Sequence, residues 1–516
     1  MKRLLIFFAV ALIALAACRA EGLGDGHMLP ETPMDGIVVS RIAGRADKPY
    51  LEVDGNPFAM YGAQIRVDIF RNCEDMPWDE TEKYFAAARE LNVNCVQVSY
   101  PWKFLEPSED VYRFDEIDRL LALANKYDLK MELLWFSTNM IGDSYTWLVP
   151  QYILSVPQKK MRRDGDGDFH WLYGYTYALY LDDPWILERE TKAVKVLFDH
   201  IRIWDSKNGN RHPVITCQVH NEPDAMVRWR MSLMDFRHRD GTAAAPEEIW
   251  RMTLNALDAV GQAVQNSSYK VATRTNIISG DGVKDFPQTP GISPKDVYAL
   301  KGIDFVSFDP YMEKVNEIAY EVSEYAGMPG NYPLVAENRG DYPNTASLML
   351  AASALGGGYD IYDLATSRFI ASSGTPPYSS EGVYDHELKD KPHTGEVRTL
   401  IDGLVKASPE VALCGTEDFA VFNIVTDFPQ KSLSQTVRTT GAVIGFETED
   451  AALAFVLDRG DCLVAYSVRE SVLTISGGAV TEVACGKFEP TGEFVPDDVH
   501  NVTDNVVALK SGVLYR

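Results

Sequence analysis

Short apolar runs alternate with longer helical segments between residues 58 and 406. The runs are rich in β-branched and aromatic residues and have the length of buried strands. They lie at residues 58–66, 93–99, 130–136, 214–219, 270–276, 305–308, 334–336 and 359–362. The segments between them carry helical periodicity, most clearly at 79–91, 115–127, 184–204, 247–264 and 394–406. Eight strand and helix units over roughly 350 residues predict an α/β fold of the (β/α)8 TIM-barrel type.

Two regions with β character flank this alternation. Asp54-Gly55 separates two short apolar runs within residues 50–60, which predicts a hairpin just before the first barrel strand. After residue 407 the sequence consists of short β-type runs separated by Gly, Asp and Asn. These runs predict a C-terminal antiparallel β-sandwich, so we place the barrel at 46–408 and the sandwich domain at 409–516. Its role, as a packing partner or as a sugar binder, stays open.

The N-terminus has the pattern of an export signal. Met1-Lys2-Arg3 precedes an apolar run that ends at Ala17, and this run is too short to span a bilayer. Leu15-Ala16-Ala17-Cys18 resembles a bacterial lipobox, which implies that Cys18 is lipidated. We therefore expect a lipoprotein signal peptide at 1–18, a flexible tether at 19–45, and anchoring at the cell envelope on the outer-membrane or periplasmic face. The alternative is plain secretion with an incidental cysteine.

Charge and cysteine content narrow the partners. The chain has 74 acidic and 49 basic residues and a net charge of -25, which argues against nucleic acid or an anionic surface and favours a neutral substrate. The cysteines lack metal-binding spacing, so we expect no zinc, no other metal and no cofactor. Cys462 and Cys485 could form a disulfide, which the sequence alone does not decide.

Two of the predicted strands end in a glutamate. His220, Asn221 and Glu222 follow the fourth strand, and Glu337 ends the apolar run of the seventh. Because side chains at the carboxyl ends of barrel strands meet at one mouth, these two carboxyl groups are predicted to face each other. Hydrolysis of a glycosidic bond with retention needs two carboxyl groups about 5 Å apart, one as acid/base and one as nucleophile.

Asn221-Glu222-Pro223 and the later glutamate resemble the signature of the clan-A retaining glycoside hydrolases. The stretch 100–115, with Trp102, Glu106-Pro107 and Tyr112-Arg113-Phe114-Asp115, is similar to the segment after the second strand in β-galactosidases of families 35 and 42. The chain differs from family 35 at His220 and Pro223, so the resemblance is to the clan, nearest to the family 35/42 enzymes of bacterial lipoproteins.

The resemblance implies roles for individual residues. Glu222 would be the acid/base and Glu337 the nucleophile, Asn221 would bind the sugar 2-hydroxyl, and Tyr311 would orient Glu337. His220 would either contact the substrate or make a scaffold hydrogen bond. The remaining predicted substrate-binding residues lie at the ends of strands one to three: Gln64, Arg66, Trp102, Trp135 and Asn139.

The sequence therefore predicts a lipid-anchored, cofactor-free retaining β-glycosidase that removes terminal β-linked sugars, galactosides first, from neutral oligo- or polysaccharides. Alternatives on the same barrel are an endo-acting glucanase or mannanase and an inverting or transglycosylating enzyme. An alternative from another class is a non-catalytic carbohydrate-binding barrel on the cell surface.

Overall fold

The computed structural model describes residues 35–137, 143–145, 148–163, 176–228, 236–287, 289–365, 381–424, 433–502 and 504–516. A closed barrel of parallel strands forms its centre. The strands, named β1 to β8 in chain order, are Tyr61–Ile65, Cys95–Pro101, Lys130–Phe136, Val214–Val219, Ala272–Ile278, Phe305–Asp309, Val335–Arg339 and Tyr359–Tyr362. Each strand pairs with the next, and Tyr359 of β8 pairs with Tyr61 of β1 to close the sheet. The predicted (β/α)8 barrel is confirmed.

One main helix follows each strand. These helices, α1 to α8, are Trp78–Glu90, Asp115–Tyr127, Pro184–Lys207, Pro246–Gln265, Pro294–Tyr298, Val315–Ala326, Thr345–Ala354 and Thr394–Lys406. Their apolar faces pack on the barrel, as Ile117, Leu120 and Leu121 of α2 show. Short helices lie at Val67–Asn72, Trp102–Leu105, Gln151–Leu154, Ala225–Arg228 and Ser408–Leu413. Short strand pairs join Asp143–Tyr145 to Thr176–Ala178 and Arg162–Arg163 to Phe236–Arg237.

A small sheet precedes the barrel, built from Ser40–Arg45, Lys48–Val53 and Asn56–Phe58. Val53 pairs with Asn56, so the predicted hairpin at Asp54-Gly55 is present. The tether predicted to extend to residue 45 is wrong over its last part, because residues 40–45 pair along their whole length with residues 48–53. Ile37–Val38 also pairs with Tyr269–Lys270. Sequence reasoning took this polar, glycine-containing segment for a linker, but its backbone hydrogen bonds fix it to the barrel.

The C-terminal region is an antiparallel two-sheet sandwich, as predicted. One sheet has the order Phe419–Ile424, Ala452–Asp458, Leu463–Ser467, Leu514–Tyr515, Glu482–Phe488, Phe494–Asn501, and the other Leu433–Arg438, Val443–Thr448, Ser471–Ser476, Val506–Leu509. Residues 452–458 are buried throughout, because alternate side chains face the sandwich core and the barrel. The Tyr466 hydroxyl also donates to the Thr399 carbonyl of α8 at 2.6 Å. The sandwich is therefore packed firmly on the barrel.

Two further predictions concern the cysteines and the membrane. Cys462 and Cys485 are both free thiols in the structure, and so are the other cysteines of the described ranges. Across those same ranges, none of the helices combines the length and hydropathy that a bilayer crossing requires. Cys18 and the signal-peptide residues lie outside the described part of the chain.

Candidate active site

The two predicted catalytic glutamates lie at the carboxyl ends of β4 and β7. Glu222 follows β4 in a turn and is 4% exposed, and Glu337 lies within β7 and is 5% exposed. The register of β7 against β8 shifts between Val335 and Asn338, which places an irregularity at Glu337. Such irregularities often redirect a side chain beside an active site.

A third carboxyl group shows that the two glutamates share one site. Asp309 ends β6 and is buried. Burial raises the pKa of Asp309 well above its usual range, and the negative charges of Glu337 and then Glu222 raise it further. Both glutamates therefore act on the same buried acid, so the barrel brings together the residues from β4 and β7 that the sequence paired.

Glu337 is held by two donors from distant parts of the chain. The Tyr311 hydroxyl donates to Oε2 at 2.5 Å, and the Gln64 amide nitrogen donates to Oε1 at 3.0 Å. Burial raises the pKa of Glu337, and these two hydrogen bonds oppose the rise because they favour the carboxylate. Tyr311 is 36% exposed, so the residue that donates to Glu337 also reaches the protein surface.

Arg66 lies beside this group but is paired with another acid. Its guanidinium donates to both oxygens of Asp68 at 2.9 Å, and to the Tyr362 hydroxyl at 3.3 Å. Burial opposes ionisation of Asp68, but the charge of Arg66 and the hydrogen bonds from Arg66 and Ser99 together lower the pKa of Asp68. The positive charge of Arg66, at the end of β1, also favours the ionised form of Glu337.

Asn221 is fixed with its carbonyl oxygen turned into the protein. Asn221 Oδ1 accepts hydrogen bonds from Gln218 at 3.0 Å and from Asn276 at 2.9 Å. Its amide nitrogen is consequently the part of the side chain that can donate to a sugar hydroxyl. The role predicted for Asn221 as a ligand of the 2-hydroxyl is compatible with this orientation and stays a prediction.

His220, Trp135 and Trp102 lie behind the site and are not open to the cleft. His220 and both tryptophans have no exposed surface. His220 Nε2 bonds to Glu190 at 2.8 Å, and the Trp135 indole donates to the same carboxylate at 3.0 Å. Although burial opposes it, the contacts with His220 and the other donors lower the pKa of Glu190. In this arrangement His220 makes the scaffold hydrogen bond.

Trp102 has a comparable structural partner. Its indole N–H donates to Glu106 at 2.8 Å, and the other oxygen of Glu106 accepts from the Asp110 backbone at 2.9 Å. A ring without exposed surface cannot stack on a sugar, so the structure does not support the prediction that Trp102 and Trp135 form subsites. Asn139, the remaining predicted ligand, lies outside the described residues.

Sequence reasoning missed four polar residues at this mouth. Asn276 of β5 accepts the backbone N–H of Glu222 and donates to Asp309 of β6, and Asp363 and Glu381 lie beyond β8. Burial raises the pKa of Glu381 to about 7, and burial also raises the pKa of Asp363 well above its usual range. The only available signal was position, since Asp309 and Asp363 directly end predicted strands.

A buried ionic layer supports the site from below. Arg274 of β5 donates to Glu132 of β3 through Nε at 2.7 Å and to Ser307 at 2.7 Å, and all three residues are fully buried. Thr216 also donates to Glu132, at 2.9 Å. Within the described ranges, no cluster of His, Cys, Asp and Glu side chains has the arrangement of a metal site. The chemistry of this mouth is that of carboxyl groups and their hydrogen-bond donors.

The (β/α)8 barrel with acids at the ends of β4 and β7 is the architecture of a clan-A glycoside hydrolase. Residues 72–180 match the profile of a family described as "Beta-galactosidase", which confirms the resemblance seen in the stretch 100–115. Residues 252–429 match a "Domain of unknown function (DUF4978)". No curated protein sequence is significantly similar to the chain.

Solved structures with a similar fold include three glycosidases. An exo-beta-1,4-mannosidase from an Opitutaceae bacterium is 14% identical with a TM-score of 0.47, covering 70% of this chain and 62% of its own. A beta-galactosidase from Halorubrum lacusprofundi is 12% identical with a TM-score of 0.48, covering 67% and 58%. An endo-1,4-beta-mannanase from Rhizomucor miehei is 12% identical with a TM-score of 0.48, covering 71% and 99%. The chain thus spans about three fifths of the first two relatives, and similarities this low carry no argument about substrate.

Proposed function

We propose that the chain is a retaining β-glycosidase that acts by double displacement. Glu337 attacks the anomeric carbon as the bond to the leaving oxygen breaks, and Glu222 protonates that oxygen. Glu222 then removes a proton from water, which attacks the same carbon and releases Glu337. The observation that carries the proposal is the pair of strand-end carboxyl groups, together with the hydroxyl of Tyr311 and the amide of Gln64 that donate to Glu337.

The assignment of the two roles follows from their surroundings. A nucleophile has to be ionised and aimed, and two donors on its two oxygens do both for Glu337. An acid/base has to change its protonation state during the cycle. Glu222 takes this role because Asn221-Glu222-Pro223 resembles the acid/base signature of the clan-A enzymes, and its backbone N–H donates to Asn276 at 3.0 Å.

We propose a terminal, uncharged β-linked sugar as the substrate, with galactosides first. The family match at residues 72–180 supports this choice. So does the excess of acidic groups at the barrel mouth, because they disfavour an anionic sugar. A panel of aryl β-glycosides and of oligosaccharides tests it: release of single sugars from chain ends supports exo action on galactosides, and release of internal fragments indicates an endo-acting glucanase or mannanase.

Azide rescue tests the mechanism. Glu337→Ala should lose turnover of a dinitrophenyl β-glycoside, and azide should restore part of it with an α-glycosyl azide as product, because azide attacks from the face that Glu337 occupied. Glu222→Ala should instead yield the β-azide. The control substitution is Glu317→Ala on α6, where the Glu317 side chain is partly exposed and pairs with Lys314. This variant should keep normal turnover. A wild-type chain inactive on every aryl β-glycoside would overturn the proposal in favour of a binding barrel.

We also propose that the chain is exported and anchored through a lipid on Cys18. The apolar run that ends in Leu15-Ala16-Ala17-Cys18 supports this proposal. Metabolic labelling with a fatty-acid analogue tests it, because Cys18→Ser should abolish labelling and release the protein from the membrane fraction. Labelling that persists in Cys18→Ser would contradict it.

A further inference from the structure

Asn276 bonds to three groups around the predicted acid/base. Its Oδ1 accepts the backbone N–H of Glu222 at 3.0 Å. Its Nδ2 donates to Asn221 Oδ1 at 2.9 Å and to Asp309 Oδ2 at 2.5 Å. The side chain is fully buried in β5. One amide thus links the Asn221-Glu222 turn after β4 to Asp309 at the end of β6.

The segment it holds has an unfavourable backbone conformation. Glu222 has a φ of 42° and His220 a φ of 59°, so left-handed residues stand on both sides of Asn221. L-residues with side chains rarely adopt this region, and it persists only where surrounding contacts enforce it. Glu222 also precedes Pro223, and a following proline narrows the conformations open to a residue further. The turn that presents the Glu222 carboxyl group therefore needs an external support.

The chemistry of the support requires an amide. The group at position 276 has to accept from one N–H and donate to two oxygens, which a carboxylate or an aliphatic side chain cannot do. Asp309 anchors the amide from β6, and the charged groups that face Asp309 are Glu337, Glu222 and Arg274. The second oxygen of Asp309 has no hydrogen-bond partner in the described structure.

We infer that Asn276 is the positioning residue of the acid/base: it fixes the Asn221-Glu222 turn so that the Glu222 carboxyl group meets the leaving oxygen. The inference rests on the proposed glycosidase function. It also says that the loss of Asn276 slows cleavage of substrates whose leaving group needs a proton and spares cleavage of those whose leaving group does not.

The leaving-group dependence of Asn276→Ala tests this. With a phenyl β-glycoside, whose leaving group needs a proton, kcat/KM should fall about 100-fold, the usual cost of misplacing a catalytic group by about 1 Å. With a dinitrophenyl β-glycoside, which leaves as the anion, the fall should stay within about 5-fold because general acid catalysis adds little there.

Asn331→Ala is the matched control. Asn331 is a buried amide that bonds to the backbone N–H of Val306 at 2.7 Å and to its carbonyl at 3.1 Å, and it contacts neither glutamate. Asn331→Ala should lower thermal stability and leave the ratio of the two substrates unchanged. Equal losses on both substrates in Asn276→Ala, or no loss on either, would overturn the inference.

A crystal structure of Asn276→Ala separates this inference from the proposed function. If the wild-type chain turns over no aryl β-glycoside, the proposed function fails, yet the structural claim can still be measured. We expect the main chain of Glu222 to move by about 1 Å or more relative to a wild-type crystal structure. A displacement of this size is enough to reduce catalysis by a misplaced group. A Glu222 main chain that stays in place would overturn the positioning role.

Discussion

Removal of the Tyr311 hydroxyl should raise the pKa of Glu337 and move the acid side of the pH profile. The hydroxyl donates to Glu337 Oε2 at 2.5 Å, within the range of charge-assisted O–H···O⁻ bonds. A donor to the ionised carboxyl group stabilises the charged form, so its loss favours the protonated and non-nucleophilic form. Tyr311→Phe should therefore leave an enzyme that needs a higher pH to reach the same activity.

The size of this shift follows from the strength of the bond. A hydrogen bond to a charged group contributes about 1.5–3 kcal/mol, and about 1.4 kcal/mol corresponds to one pKa unit. The second donor, Gln64, remains at 3.0 Å, and the Arg66 charge continues to favour ionisation. We therefore expect the midpoint of the acid limb to move to a pH about 1–2 units higher. At pH values below this midpoint, kcat/KM should then fall about 10- to 100-fold.

The assay is the pH dependence of kcat/KM, which reports ionisations of the free enzyme. Because Asp309 interacts with both Glu337 and Glu222, the acid limb reports the three carboxyl groups together, and the wild-type and Tyr311→Phe curves have to be compared as a difference. Tyr298→Phe is the control, since its hydroxyl bonds to the Pro329 carbonyl at 2.7 Å. An acid limb that moves by less than about 0.3 pH units in Tyr311→Phe would refute the reasoning, since losing a hydrogen bond to a charged group should shift the pKa by more than that.

Three further substitutions test the surroundings of the site. The pKa of Glu381 is raised to about 7, so its ionisation opposes folding as pH rises from about 4 through 7. Thermal scans should show Glu381→Gln more stable than wild type above pH 7, with the difference vanishing as the pH falls to about 4. Arg274→Met should lower the free energy of unfolding in urea by about 3–5 kcal/mol because it leaves buried Glu132 without its charge partner. Adding Glu132→Leu should restore part of that loss, and a double variant that is no more stable than Arg274→Met would contradict this explanation. A Cβ at Gly403 would lie 2.4 Å from the ring of Tyr466 in the sandwich, so Gly403→Val should lower Tm and speed proteolysis between the domains. A Cβ at Gly395 on the same helix meets no other atom, so Gly395→Val should leave Tm and proteolysis unchanged.

The strands were predictable because each is encoded locally. Residues 130–136, 214–219 and 359–362 match β3, β4 and β8 at both ends, since continuous apolar runs bounded by polar residues are typical of strands buried on both faces. The helix 115–127 matches for a similar reason. Two other strand ends were less exact. β5 extends through Ile277 and Ile278 beyond the predicted end at 276, and β7 extends to Arg339 through polar residues that ended the apolar run at 336.

The hydrogen bonds of the site were not predictable because they join residues far apart in the chain. Gln64 and Glu337, whose side chains bond, are 273 positions apart, and Asn276 is 54 positions from Glu222. No local pattern distinguishes such an amide from any other polar residue in a strand. At Trp135 a local pattern led to a role that the structure does not support. Its indole at a strand end predicted a surface for sugar stacking, but the ring is buried and bonds to Glu190.

The number of carboxyl groups at the barrel mouth constrains the sugar that this site can bind. Glu222 and Glu337 suffice for the chemistry, yet Asp309 and Asp363 are also buried there, with pKa values raised well above the usual range. Burial and the neighbouring negative charges favour the protonated form of both aspartates, so these surroundings oppose a further negative charge more strongly than a neutral hydroxyl group. A uronic acid would bring a further negative charge towards Glu337, and the nearby cation, Arg66, is already paired with Asp68. The arrangement around Glu337 therefore supports the uncharged sugar of the proposed function.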